Sequence, residues 1–117
     1  MRIGFIGTGN MGAALIKGYL SASPGASVCA YDKDSNKLEA LAAETGLRAM
    51  SDPAAAAADS DLLILAVKPN TIPDAIRSLA SAVRWNETVL VSIAAGVTIG
   101  ALEATCTAQG ALQPKIV

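Results

Sequence analysis

The chain contains no histidine. Any triad or acid–base chemistry built on imidazole is therefore excluded within it, and so are the common zinc sites that use His. Only two cysteines occur, Cys29 and Cys106, and their separation fits no metal-ligand spacing. They read as two free, buried thiols in a reducing compartment. Aromatic residues are scarce, with one Trp, two Tyr and one Phe in 117 residues. The core must then be assembled from Ala, Leu, Val and Ile, the usual filling between helices and a buried sheet. Nine basic residues face ten acidic ones, and no basic run is present. Phosphate neutralisation along a nucleic acid has no footprint here.

Long apolar runs are missing too. The stretch Thr88–Leu102 lacks charge for 15 residues, short of the roughly 18 needed to span a bilayer. Arg2 followed by the uncharged Ile3–Ile16 imitates the opening of a signal peptide. Gly7, Thr8, Gly9, Asn10 and Gly12 break that stretch in its middle. The chain reads as soluble and cytoplasmic, with no membrane partner.

What is present alternates between two periods. "RIGFIG" (2–7) is a short β-friendly run. "NMGAALIKGYLSAS" (10–23) has helical spacing, with Met11, Leu15, Ile16, Tyr19 and Leu20 on one side, and Pro24 and Gly25 end it. "ASVCAYD" (26–32) is a second strand, apolar almost throughout, as a parallel strand covered on both faces should be. The next helix is capped by Asp34 or Ser35, carries Leu38, Leu41 and Ala42, and stops at Gly46. "LRAM" (47–50) is a weak third strand. Asp52 and Pro53 open a short alanine helix able to lie close on a sheet. "DLLILAV" (61–67) is the strongest strand. A helix follows with Ile72, Ile76, Leu79 and Val83 inward. "ETVLVSIAAG" (87–96) gives a fifth strand, Thr98 caps another helix, and "KIV" (115–117) begins a sixth strand. No linker interrupts the series. It predicts one domain over 1–117, an α/β doubly wound Rossmann fold. The sheet is mostly parallel, in the order 3-2-1-4-5-6, with helices on both faces.

That architecture explains "GFIGTGNMG" (4–12). Gly7-Thr8-Gly9-Asn10-Met11-Gly12 fits G-x-G-x-x-G directly between the first strand and the first helix. Gly7 permits a tight turn, Gly9 lets a pyrophosphate approach the backbone, and Gly12 allows close helix–strand packing. Amides and dipole at the helix start favour phosphate. Asp32 follows Gly12 by 20 residues, where an acid can accept from both adenosine ribose hydroxyls. Its charge opposes a 2′-phosphate and leans toward NADH, whereas Lys33 could meet that phosphate or simply face solvent. Ala66, Val67, Lys68 and Pro69 fall beside the strand-order reversal, where ligands sit. Lys68 is expected to contribute backbone with its amine in solvent. "SIAAG" ends the fifth strand on the same rim. No catalytic residue and no metal ligand can be assigned from the residues.

With these pieces placed, the chain resembles the pyrroline-5-carboxylate reductase family in its dinucleotide-binding domain. The segments that carry the likeness are "IGFIGTGNMGAALIKGYL", "DLLILAVKP", "SIAAGVTI" and "KIV". The resemblance implies an NAD(P)H-dependent imine reductase that converts 1-pyrroline-5-carboxylate to proline. It implies cofactor contacts at Gly7, Gly9, Asn10, Met11, Gly12, Ala66, Val67, Lys68 and Pro69, and near Ala94. Family members often carry Ser, Asn or Arg at the end of the second strand and prefer NADPH, so Asp32 is a departure. The family continues into a helical dimerisation domain that supplies most of the substrate pocket. On that basis the chain is expected to end in or near its sixth strand without that domain, and to be inactive alone. The full-length protein is expected to be a homo-oligomer. Two other readings share the glycine motif. One is the cofactor domain of a prephenate or 3-hydroxyacid dehydrogenase, which seldom carries "SIAAGVTI". The other is an NAD-sensing regulatory module, which needs no catalytic group.

Overall fold

The computed structural model describes residues 1–93, 97–111 and 114–117. Six strands form one sheet: β1 (Arg2–Ile6), β2 (Ser27–Tyr31), β3 (Arg48–Ala49), β4 (Leu62–Leu65), β5 (Val89–Ser92) and β6 (Lys115–Ile116). Their order is β3-β2-β1-β4-β5-β6, and every pairing is parallel. The helices are α1 (Asn10–Ala22), α2 (Ser35–Thr45), α3 (Pro53–Ala58), α4 (Ile72–Leu79) and α5 (Ile99–Ala108), with short 3₁₀ turns at Pro69–Thr71 and Ala80–Ala82. The expected topology is the observed one. The strands are shorter than their apolar runs, because residues such as Val67 leave the ladder to enter the connecting loops. Ala94, Ala95 and Gly96, from the "SIAAG" rim, lie outside the described residues, so the contact expected at Ala94 does too.

The sheet divides the core in two. Ile3 and Phe5 of β1 and Val28 and Ala30 of β2 pack with Ile16, Leu20, Leu38 and Leu41, beneath α1 and α2. Ile6, Cys29, Leu63 and Leu65 point the other way, into a larger cluster with Ala56, Ala57, Ile76, Leu79, Leu102 and Cys106. Period-two alternation thus sends each strand's side chains to two apolar layers, which is why β4 and the centre of β2 (Val28–Ala30) lack polar residues. The five alanines make a true helix. Asp52 accepts from the Ala55 amide at 2.8 Å, Pro53 starts the helix, and Ala56 and Ala57 are wholly buried. Asp34, not Ser35, caps α2, accepting from the Lys37 amide, and Thr98 caps α5.

Helix α1 corrects one expectation. Ile16 and Leu20 face the sheet, but Met11, Leu15 and Tyr19 are exposed. The inward line is Gly12–Ile16–Leu20, three positions four residues apart and so on one helical face. Met11, Leu15 and Tyr19 form the neighbouring line, turned roughly 100° toward solvent.

Both cysteines are free and buried, as the sequence implied. Burial pushes the Cys29 thiol upward and Cys106 up to about 11.

The amino ends of β1 and β4 carry an ion-pair network. The Arg2 amide donates to Asp61 Oδ2 at 2.8 Å, while its guanidinium reaches Asp61 and Asp59 at 3.2 Å each. Arg84 joins Asp61 at 3.3 Å and donates to the Ser60 carbonyl at 3.1 Å. Arg48 pairs with Asp59, and Arg84 also pairs with Glu87. Single exposed ion pairs contribute little, but shared, multiply bonded charges contribute more. The bonds from the Arg2 side chain, then its amide, and then Arg84 hold the Asp61 carboxyl well below the usual carboxylate range. The unfolded chain therefore takes up that proton first as the pH drops. The stabilisation is complete above the ordinary carboxylate value of about 3.9 and is lost as pH falls below it. Thermal melts of Asp61→Asn should show a midpoint a few degrees lower at neutral pH and a shallower decline in acid than the parent chain. Parallel acid profiles would show that Asp61 is not a principal source of acid sensitivity.

Candidate dinucleotide site

The turn between β1 and α1 sits where the sheet order reverses, with β2 on one side of β1 and β4 on the other. Gly7 has φ +91°, a left-handed conformation that side chains disfavour. A Cβ there would also lie 2.6 Å from the Ala66 carbonyl oxygen and 2.8 Å from Val67 Cγ1. Gly12 is excluded from larger residues for a different reason: a Cβ would stand 2.9 Å from that of Ala66. These two glycines are required by the fold itself.

Gly9 is not. Its backbone is ordinary extended chain at φ −62°, and an added Cβ would find nothing nearer than the Ala66 oxygen at 3.9 Å. Gly9 is also the N-cap of α1, with no side-chain cap and no acidic residue in the first turn. Helices α2, α3 and α5 all receive a side-chain cap from Asp34, Asp52 and Thr98. At α1, open space in front of amides that no side chain caps fits a phosphate, which would supply the missing acceptors.

A cleft of about 420 Å³ opens beside this turn. Of the residues expected at a cofactor, Gly7, Gly9, Asp32, Lys33, Ala66, Val67 and Lys68 line it. Gly12 lies buried beneath, as packing. Asn10 and Met11 are exposed on the first turn of α1 and Pro69 is exposed on the next loop; none of the three reaches the cleft wall. Lys68 is extended at φ −64° and ψ 147°, the conformation a following proline favours. Its carbonyl accepts from the Thr71 hydroxyl at 2.8 Å. Thr8, Lys37, Thr71 and Asp74 also line the cleft and were not expected from the motif.

Asp32 is heavily engaged. Its Oδ2 accepts from both the amide of Thr8, at 2.7 Å, and the Thr8 hydroxyl, at 2.6 Å. Its Oδ1 accepts from the Asp34 amide at 2.8 Å. Burial works to raise this carboxyl, but the Thr8 hydroxyl, the Asp34 and Thr8 amides and the Lys37 charge outweigh it and hold it below its ordinary value. Asp32 is thus ionised at neutral pH. Among the described residues, no group of His, Cys, Asp or Glu is arranged to hold a metal ion, and no helix is long and apolar enough to cross a membrane.

The model for the NADP oxidoreductase, coenzyme F420-dependent family matches residues 2–96. The chain belongs to that family. The pyrroline-5-carboxylate reductase of Methanosarcina acetivorans is 38% identical over 104 residues, which cover 87% of this chain and 38% of that protein. The pyrroline-5-carboxylate reductase from Coxiella burnetii superposes with a TM-score of 0.84 at 26% identity, over 90% of this chain and 39% of the other. The pyrroline carboxylate reductase of Plasmodium falciparum, solved with NADP bound, gives 0.80 at 26% identity, over 99% and 40%. The likeness carried by the motifs therefore holds in sequence and in fold. The chain spans about two fifths of the length of these relatives.

In this NADP oxidoreductase family member the glycines divide into two kinds, and substitution should separate them. Gly9→Val should remove NADH and NADPH binding in calorimetric titrations while the circular dichroism melt stays near that of the parent chain. Gly7→Ala should instead lower stability by about 1–3 kcal/mol, from the left-handed strain alone. A folded Gly9→Val chain that binds either cofactor with parental affinity would remove this turn from the site.

Proposed function

We propose that this chain is the NAD(P)H-binding part of an imine reductase that reduces 1-pyrroline-5-carboxylate to proline. The observation that carries the reading is the open, uncapped start of α1 at Gly9, set at the sheet reversal in a chain related to pyrroline-5-carboxylate reductases. The turn at Gly7–Gly9 would take the pyrophosphate, and the cleft wall from Ala66 to Lys68 would flank the adenosine. The bound cofactor would supply hydride to the C=N carbon of the substrate. This chain contributes binding and orientation. An imine bearing a carboxylate needs anion-binding groups and a proton donor held around it. Along the described rim, Lys68 is the one cation that borders the strand-four loop, and its side chain is exposed. The substrate-holding groups are accordingly assigned outside this chain, in a helical domain through which the whole protein forms a homo-oligomer. Buried, reduced Cys29 and Cys106 suit a cytoplasmic protein.

Cofactor choice would be a matter of charge on the cleft rim. The Asp32 carboxylate opposes a 2′-phosphate and leans the site toward NADH, whereas Lys33 and Lys37 face the same cleft and oppose that lean. Replacing both lysines by Ala should weaken NADPH about ten-fold relative to NADH at low salt, the scale of charge-assisted hydrogen bonds. An unchanged NADPH-to-NADH ratio would place the lysines in solvent only.

The function itself is tested in two steps. The 117-residue chain should bind NADH or NADPH by calorimetry yet show no oxidation of either with 1-pyrroline-5-carboxylate. A chimera that adds the part of the Methanosarcina acetivorans relative following the matched stretch should turn over. Binding of neither cofactor would end the reductase reading. Turnover by the chain alone at the chimera's rate would bring the substrate site into it. Cofactor binding with an inactive, folded chimera would favour the nucleotide-sensing alternative.

A further inference from the structure

Asp32 stands where an acid would take the adenosine ribose, yet its hydrogen bonds run back into the protein. Thr8 supplies two donors to Oδ2, and the Asp34 amide supplies one to Oδ1. A carboxylate oxygen offers roughly two acceptor directions. Thr8 fills those of Oδ2, and Oδ1 keeps about one. Gripping two adjacent ribose hydroxyls with both oxygens would require Oδ2 to release Thr8. Thr8 is completely buried, so release would leave a buried hydroxyl and amide without their acceptor, which is the expensive way to lose a hydrogen bond.

The same bonds fix the turn. The Gly7 amide donates to the Tyr31 carbonyl at 2.8 Å, and the next amide, Thr8, donates to Asp32. Two successive residues of the glycine turn are thereby pinned to two successive residues at the end of β2. The Asp34 amide extends the clasp to the start of α2. One carboxylate therefore ties together the turn after β1, the end of β2 and the first residues before α2.

We infer that Asp32 is a positioning residue, acting through Thr8 to hold the glycine turn in its phosphate-binding shape, and that its bonds to Thr8 keep it from gripping the two ribose hydroxyls together. The inference rests on the proposed dinucleotide reading. It differs from a ribose-reading role in one respect that can be measured: which part of the cofactor senses the carboxylate.

The experiment titrates the 117-residue chain with NADH and with the NADH analogue whose adenosine 2′-hydroxyl is replaced by hydrogen. The variants are Thr8→Val, Asp32→Asn, the double variant and Thr8→Ser. Wild type should bind the two ligands within about two-fold of each other. Thr8→Val and Asp32→Asn should each weaken both ligands by a common factor, about ten-fold. The double variant should be no weaker than the worse single one, because both act on the contact between the Thr8 hydroxyl and the Asp32 carboxylate. Thr8→Ser keeps the hydroxyl and should restore binding. Amide hydrogen exchange across residues 7–10 should quicken in Thr8→Val and Asp32→Asn. The inference is overturned if the analogue binds wild type about ten-fold more weakly than NADH, Asp32→Asn erases that difference and Thr8→Val has no effect. Unchanged exchange in both variants overturns it as well. Failure of wild type to bind either ligand overturns the dinucleotide reading instead, and the exchange rates then decide the clamp by themselves.

Discussion

The contact on which the rest of this structure depends is the approach of the β1–α1 turn to Ala66. Gly7 passes so close to the Ala66 carbonyl that a single Cβ would intrude to 2.6 Å, and a Cβ at Gly12 would come within 2.9 Å of the Ala66 side chain. This closeness lets α1 begin immediately beyond β1 and lie flat on the sheet. The Gly12–Ile16–Leu20 face can then bury fully against Phe5 and Val28. It also directs the amino end of α1 at the reversal point, where neighbouring loops diverge and leave a cleft. Packing and site are thus consequences of one backbone contact. Of the three motif glycines, Gly9 is the one left free of it, and the protein's own packing does not explain its smallness.

Much of this was legible in the sequence because it rests on local period and on turn chemistry. Apolar runs in "SVCAY" and "LLIL" fix strands buried on both faces, and their alternation with capped helices fixes a parallel, doubly wound sheet. The caps at Asp52 and Thr98 were readable since an N-cap depends on residues three apart, and the cap of α2 was narrowed to Asp34 or Ser35. The orientation of α1 was less so. Met11, Leu15 and Tyr19 make as good an apolar line as Ile16 and Leu20. Hydrophobicity alone groups the two lines on one side, and the buried line begins with a glycine. Close approach, not apolar bulk, decides which side of that helix faces inward.

The site shows the same boundary between local and non-local information. Gly7, Gly9 and the "AVK" loop could be placed from the motif and from the topology. Thr8 could not, since it occupies a variable position of G-x-G-x-x-G. Its significance comes from the parallel register that sets Ile6 against Tyr31 and so brings residue 8 to Asp32. Lys37, Thr71 and Asp74 reach the cleft from the first turns of α2 and α4, whose rotation relative to the sheet no spacing rule supplies. Asn10, Met11 and Pro69 show the converse: proximity in sequence to a glycine turn or a strand end does not bring a side chain to the wall.

Charge is partitioned along the strand direction. At the amino ends, Arg2, Arg48 and Arg84 are balanced against Asp59, Asp61 and Glu87 by direct pairing. At the carboxyl ends, Lys33, Lys37 and Lys68 border the cleft, where no ion pair to them appears among the described contacts, and the carboxylate of Asp32 is occupied by neutral donors. A carboxylate held by hydroxyl and amide groups keeps its full charge, unlike one neutralised by arginine. The carboxylates of Asp32 and Asp74 and the ammonium groups of Lys33, Lys37 and Lys68 thus share one cleft. On the proposed function, a dinucleotide phosphate would be drawn by the lysines and by the start of α1, and turned away from the two carboxylates. That field favours placing phosphate over Gly9, the point where the backbone leaves room for it.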